Sequence, residues 1–189
     1  MLEAFLMSTG IVALAEMGDK TQLLALVLAA RFRKPTPIIL GILVATLLNH
    51  GVAGALGSWL MHWVGPQAMR WILGVSFLAM AGWILIPDKL DDTQAEQKGG
   101  VFLTTLIAFF LAEMGDKTQF ATVALAAQYT SLIAVVVGTT FGMMLANVPA
   151  VLLGERVTRI VPMRTVHLIA AGLFVVLGLM ALFNVGGVL

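Results

Sequence analysis

The heptapeptide Glu16-Met17-Gly18-Asp19-Lys20-Thr21-Gln22 recurs residue for residue as Glu113-Met114-Gly115-Asp116-Lys117-Thr118-Gln119. The two copies are 97 residues apart, and around them Leu14–Ala30 lies over Leu111–Ala127 with 12 identities in 17 positions. An identical heptapeptide at equivalent points of two halves is not chance, so the chain is an internal repeat. Each copy places two carboxylates and an ammonium at the middle of an apolar run, at residue 17 of segment 4–30 and residue 114 of segment 101–127.

The rest of the chain has little charge to spare. Of its 189 residues 60% are hydrophobic and 11% charged, against roughly 25% charged in an average soluble domain. Apart from the two motifs, the charged residues sit in short segments or at the N-terminus. A spanning helix takes about 20 mostly apolar residues, and six segments qualify: 4–30, 37–59, 71–87, 101–127, 130–153 and 165–187. The expected class is an all-α integral membrane protein with six transmembrane helices. A soluble enzyme is excluded, and a net charge of +1 leaves no basic face for nucleic acid. With no cysteine there is no disulfide, thiolate metal site or cysteine nucleophile. Ala13-Leu14-Ala15 has the small-residue form of a signal-peptide cleavage site, but the segment before it carries Glu3 and no Lys or Arg, so that reading is rejected.

The first, third and fifth connections carry eight Lys and Arg, the second and fourth only Arg70. Positive charge in short loops marks the cytoplasmic side, so both termini are expected to be extracytoplasmic. Three spans per half is an odd number, so the halves, 1–87 and 101–189, cross the membrane in opposite senses. The polar run 88–100 joins them as a cytoplasmic linker. This is the inverted-repeat plan of secondary transporters. A chain of this length without a targeting extension is expected in a prokaryotic plasma membrane, in contact with its lipids.

In continuous helices Glu16 and Asp19 share a face at i, i+3, as do Glu113 and Asp116, and Gln22 and Gln119 extend those faces. Lys20 and Lys117 stand at i+4 from the glutamates, a spacing that favours pairing. Twenty-seven straight helical residues measure about 40 Å against a core of about 30 Å, so these spans tilt, or break at Gly18 and Gly115. Ionised groups at mid-membrane cost roughly 3 kcal/mol each. Four carboxylates and two ammoniums sum to −2, which one divalent cation or two protons neutralises. The oxygen donors (Glu16, Asp19, Glu113, Asp116, with Gln22, Gln119, Thr21 and Thr118 behind them) suit Mg²⁺, Ca²⁺ or Mn²⁺ over Zn²⁺ or Cu⁺. The thioethers of Met17 and Met114 would favour Mn²⁺ over Ca²⁺ as ligands, although packing is the commoner role of methionine. His50 and Asn147 correspond at the 97-residue offset inside spans two and five, and they either line the pathway or join helices by hydrogen bonds. His62 and His167 lie near span ends and read as interfacial.

Both heptapeptides match the E-x-G-D-[KR]-[TS] signature, and the chain resembles the small six-helix cation transporter family of bacterial manganese exporters and Golgi calcium/manganese transporters. The resemblance covers essentially the whole chain. It implies export of Mn²⁺, with Ca²⁺ as the other candidate, in exchange for protons, with Glu16, Asp19, Glu113 and Asp116 holding the cation and no cofactor. Three other readings were weighed. Helix adhesion does not need two identical sets of carboxylates. An intramembrane aspartyl protease must share a proton between its aspartates, which a lysine beside each one opposes. A divalent-cation channel or uniporter is separated from an antiporter by proton coupling.

Overall fold

The computed structural model describes residues 1–86, 99–153 and 163–184, and every regular element among them is helical. The described residues form eight helices: α1 (Leu2–Glu16), α2 (Lys20–Phe32), α3 (Pro35–Val64), α4 (Pro66–Trp83), α5 (Val101–Glu113), α6 (Lys117–Gln128), α7 (Leu132–Leu153) and α8 (Met163–Phe183). Most of the expected linker 88–100 and of the basic connection 154–164 lies outside the described residues. Helices α3, α7 and α8 are long and apolar enough to cross a membrane.

The first and fourth sequence segments are each two helices, not one. The chain leaves helical geometry at Met17 and at Met114, and Gly18 and Gly115 take φ of +83° and +74°. Only glycine occupies that region without steric cost. The next residue, Asp19 or Asp116, is extended and opens the following helix. The side chain of Gln22 turns back so that its Oε1 accepts from the Gly18 amide at 2.9 Å; Gln119 does the same for Gly115 at 2.7 Å. The break is therefore closed by a hydrogen bond from within the motif. The connection from 62 to 70 is also mostly helical, since α3 and α4 meet at the single residue Gly65, φ +75°.

The packing follows the sequence repeat. Helix α1 lies along α7 and α5 along α3; α2 touches α7 and α6 touches α3; α3 meets α7, and α4 pairs with α8. Exchanging the two halves maps this pattern onto itself, and residue detail obeys the same exchange. A methyl group on Gly138 would meet the Phe5 carbonyl at 2.7 Å, and one on Gly41 the Phe102 carbonyl at 3.0 Å; both glycines and both phenylalanines are 97 residues apart. Phe77 and Phe174, likewise equivalent, stack at 6.1 Å between α4 and α8. Leu, Ile, Val and Phe side chains on the outer faces, such as Val52, Ile72, Ile133 and Ile169, are exposed.

Candidate metal centre

The two helix breaks meet inside the bundle. Glu16 and Glu113 end α1 and α5, while Asp19 and Asp116 begin α2 and α6, and all four carboxylates are buried. Because the chain breaks between them, Glu16 and Asp19 do not share a helix face, contrary to the spacing argument, and neither do Glu113 and Asp116. The aspartates sit at the positive ends of α2 and α6, where the helix dipole favours an anion; the glutamates sit at the negative ends of α1 and α5, where it opposes one. A bound cation relieves that opposition.

The lysines cross between the halves. Lys20 Nζ lies 3.0 Å from Asp116 Oδ1, and Lys117 Nζ 3.7 Å from Asp19 Oδ1. These ion pairs are thus with the other half's aspartates and not the i+4 glutamates, because that register holds only in an unbroken helix. Lys117 Nζ also donates to the Ile86 carbonyl at 3.1 Å. The glutamates are instead held locally: Thr21 Oγ1 donates to Glu16 Oε2 at 2.6 Å and Thr118 Oγ1 to Glu113 Oε2 at 3.1 Å. This leaves Glu16 Oε1, Glu113 Oε1 and Asp116 Oδ2 buried and accepting no hydrogen bond among the described residues.

One carboxylate oxygen from each of Glu16, Asp19 and Asp116 lies within 4.8 Å of the others. Oxygens that close repel unless a cation stands between them, and hard divalent cations bind carboxylate oxygens at about 2.0–2.6 Å. Glu113 and His50 are buried but outside this trio. Gln22 and Gln119 present their amide oxygens to Gly18 and Gly115, and Gln22 Nε2 ties the first break to the Ala146 carbonyl of α7 at 3.0 Å. His50 has no hydrogen-bond partner on either ring nitrogen among the described residues, and Asn147 donates to the Met143 carbonyl at 3.1 Å within its own helix. Asn49, beside His50, donates across to the Phe110 carbonyl of α5 at 3.1 Å.

Sequence spacing missed His167. Its Nε2 lies 2.7 Å from the Met17 carbonyl at the first break, so it belongs to the surroundings of the motif and not only to a span end. A carbonyl can only accept, which fixes the proton on Nε2. Its repeat counterpart is Arg70; two strong donors at one offset position are the signal that could have found it.

Comparison with known proteins agrees with this chemistry. The family described as the divalent cation/proton antiporter GDT1 matches residues 4–92 and 101–187, both halves of the chain. A Vibrio cholerae protein named "Putative manganese exporter" is 53% identical over 91% of this chain and 86% of its own length. A GDT1-like protein of Synechocystis is 28% identical over 92% of this chain and 94% of its own. GDT1-like protein 5 of Arabidopsis thaliana is 26% identical, covering 97% of both chains. No solved structure matches. These relatives make the protein a membrane transporter rather than an enzyme, with a divalent cation as its substrate and no cofactor indicated. Helices breaking at paired Glu-x-Gly-Asp-Lys-Thr motifs, their carboxylates gathered from both halves, are therefore features of a chain that belongs to the divalent cation/proton antiporter family GDT1.

Proposed function

We propose that this protein exports Mn²⁺ from the bacterial cytoplasm in exchange for protons, with Ca²⁺ as its second substrate, by alternating access to the Glu16, Asp19, Glu113 and Asp116 cluster. The observation that carries the reading is the buried trio of carboxylate oxygens, drawn from both halves and all within 4.8 Å. The paired lysines leave the cluster with a formal charge of −2, and the membrane penalises that state when it is empty. One Mn²⁺ or two protons remove the charge, so each ion excludes the other. This mutual exclusion is what an exchanger requires.

The reading takes α1–α2, α3, α4, α5–α6, α7 and α8 as six spans forming two inverted repeats, 1–87 and 101–189, with the linker in the cytoplasm and both termini outside. The exchange symmetry of the helix packing supports it, as do the basic connections. Glu16 and Glu113, at the negative ends of their helices, carry the protons in the metal-free stroke.

The test is Mn²⁺ and Ca²⁺ flux in proteoliposomes carrying a pH dye, for wild type and Asp116→Asn. Metal entry coupled to opposite proton movement, abolished in the variant, is the expected result. Metal flux with no proton movement would make the protein a channel or uniporter, and no flux of either metal would leave the motifs as helix adhesion.

A further inference from the structure

The two halves obey the repeat in their core helices but depart from it at α4 and α8. Helix α8 lies along α1, and α4 lies along α6, whereas the exchanged pairs α4–α5 and α8–α2 barely touch. Two hydrogen bonds mark the same departure. His167 of α8 holds the Met17 carbonyl at 2.7 Å, and the Ile86 carbonyl, three residues beyond α4, holds Lys117 at 3.1 Å. Their counterparts at the 97-residue offset are Arg70 with Met114, and the Phe183 carbonyl with Lys20; among the described residues no hydrogen bond joins either pair.

Exposure divides the site accordingly. Met17 and Gly18 are half-buried and the Lys117 side chain is 5% exposed, while Met114 is 56% exposed, Gly115 is exposed and the Lys20 side chain is 26% exposed. The Met17 side of the cluster is thus more covered than the Met114 side. Arg70 is half-buried near the start of α4, its Nε buried without a hydrogen-bond partner among the described residues and its guanidinium 5.8 Å from the Trp71 ring. A buried Nε–H without an acceptor carries a desolvation cost that an acceptor in another state would relieve.

Resting on the inverted-repeat reading above, we propose that α4 and α8 move as a pair and that His167 and Arg70 are positioning residues that take turns. His167 on the Met17 carbonyl and the Ile86 carbonyl on Lys117 close one mouth in this state. In the alternate state Arg70 takes the Met114 carbonyl, the Phe183 carbonyl takes Lys20, and the first two contacts open. The Phe77–Phe174 stack, made of equivalent residues, is unchanged by this exchange, so the pair keeps its internal contact while it swaps partners. Helix α4 also meets α6 beside an apolar cavity of about 220 Å³ lined by Met69, Ser76, Trp83, Phe120 and Val123, so little interlocked packing has to be undone there. In the orientation proposed above, His167 lies near the cytoplasmic end of α8, so the closed mouth faces the cytoplasm.

The chain contains no cysteine, so paired substitutions report without background. Met17→Cys with His167→Cys, and Met114→Cys with Arg70→Cys, are treated in membranes with a short bifunctional thiol reagent under opposite metal and proton gradients. Both pairs are expected to cross-link, each under the gradient that disfavours the other. A second pair that never cross-links while the first does would overturn the proposal. His167→Ala should lower kcat for Mn²⁺ about fivefold with KM changed less than twofold, since about one hydrogen bond of closed-state stabilisation is lost. His167→Gln, which keeps an amide donor, should recover most of it; equal loss in both, with lowered protein yield, would reduce His167 to a packing role. Cross-linking needs no metal transport, so the expected cross-links in a protein with no Mn²⁺ flux would overturn the substrate reading and leave the movement standing.

Discussion

Each glutamate gives one oxygen to a threonine hydroxyl and keeps the other buried, with no hydrogen bond among the described residues. Thr21 and Thr118 thereby orient Glu16 and Glu113 without neutralising them. Thr21→Val should cost about 1–3 kcal/mol in the metal-bound state, the usual penalty for a buried acceptor left unsatisfied, read as an about fivefold or greater rise in KM for Mn²⁺; Thr21→Ser should restore it. Lys20 poses a sharper question. Lys20→Met removes the positive partner of Asp116 and leaves the cluster nearer −3, so the variant should bind divalent metal more tightly but release it slowly. Isothermal titration set beside flux checks this: affinity up and turnover down is expected, and a parallel fall in both contradicts it. At this scale the sequence marked the carboxylates that the structure buries at the two breaks, but not how the lysines pair with them. Lys20 was expected beside Glu16 because helical spacing presumes an unbroken helix. His167 reads from sequence as merely interfacial because its counterpart is Arg70, so comparing the halves for identity does not tie it to the motif.

At the scale of elements, the decisive feature is the interrupted helix. A 27-residue segment too long for its bilayer can tilt or break, and hydropathy cannot choose between them. The choice is made by Gly18 at φ +83° and Gly115 at φ +74°, with Gln22 and Gln119 bonded back across the gap. Gly115→Ala forces a side chain into left-handed backbone, a cost of about 1–2 kcal/mol, so its melting temperature in detergent should drop by several degrees with flux falling further. The helix seams give a contrast. Gly142→Val drives a side chain toward the Thr9 carbonyl, 2.6 Å from where its Cβ would sit, whereas Gly51→Ala meets nothing within 4 Å. The first should unfold the α1–α7 seam; the second should change the melting temperature by less than a degree or two. The sequence alone does not separate Gly51 from Gly142, because it does not say which glycine faces a helix and which faces outward.

For the whole molecule, the repeat in the sequence carries most of the architecture. Its exchange of partners appears in α1 with α7 and α5 with α3, down to Gly138 at Phe5 and Gly41 at Phe102. The departures from the repeat at α4 and α8 were not legible, since they belong to one conformation and a sequence describes all of them. The proposed orientation predicts that a cysteine at Leu2, exposed at the start of α1, reacts with an impermeant maleimide added to intact cells. Labelling only after lysis would invert the topology. The crossed pairs Lys20–Asp116 and Lys117–Asp19 have a further consequence, for biogenesis. The ribosome delivers the first motif about 97 residues before the second, roughly 5–20 s at ordinary elongation rates. During that interval the newborn half carries Asp19 and Lys20 into lipid before their cross-half partners have been made. Insertion is thus a timed event, and a nascent chain stalled between the halves is the form that an insertase must shelter or a membrane protease will find.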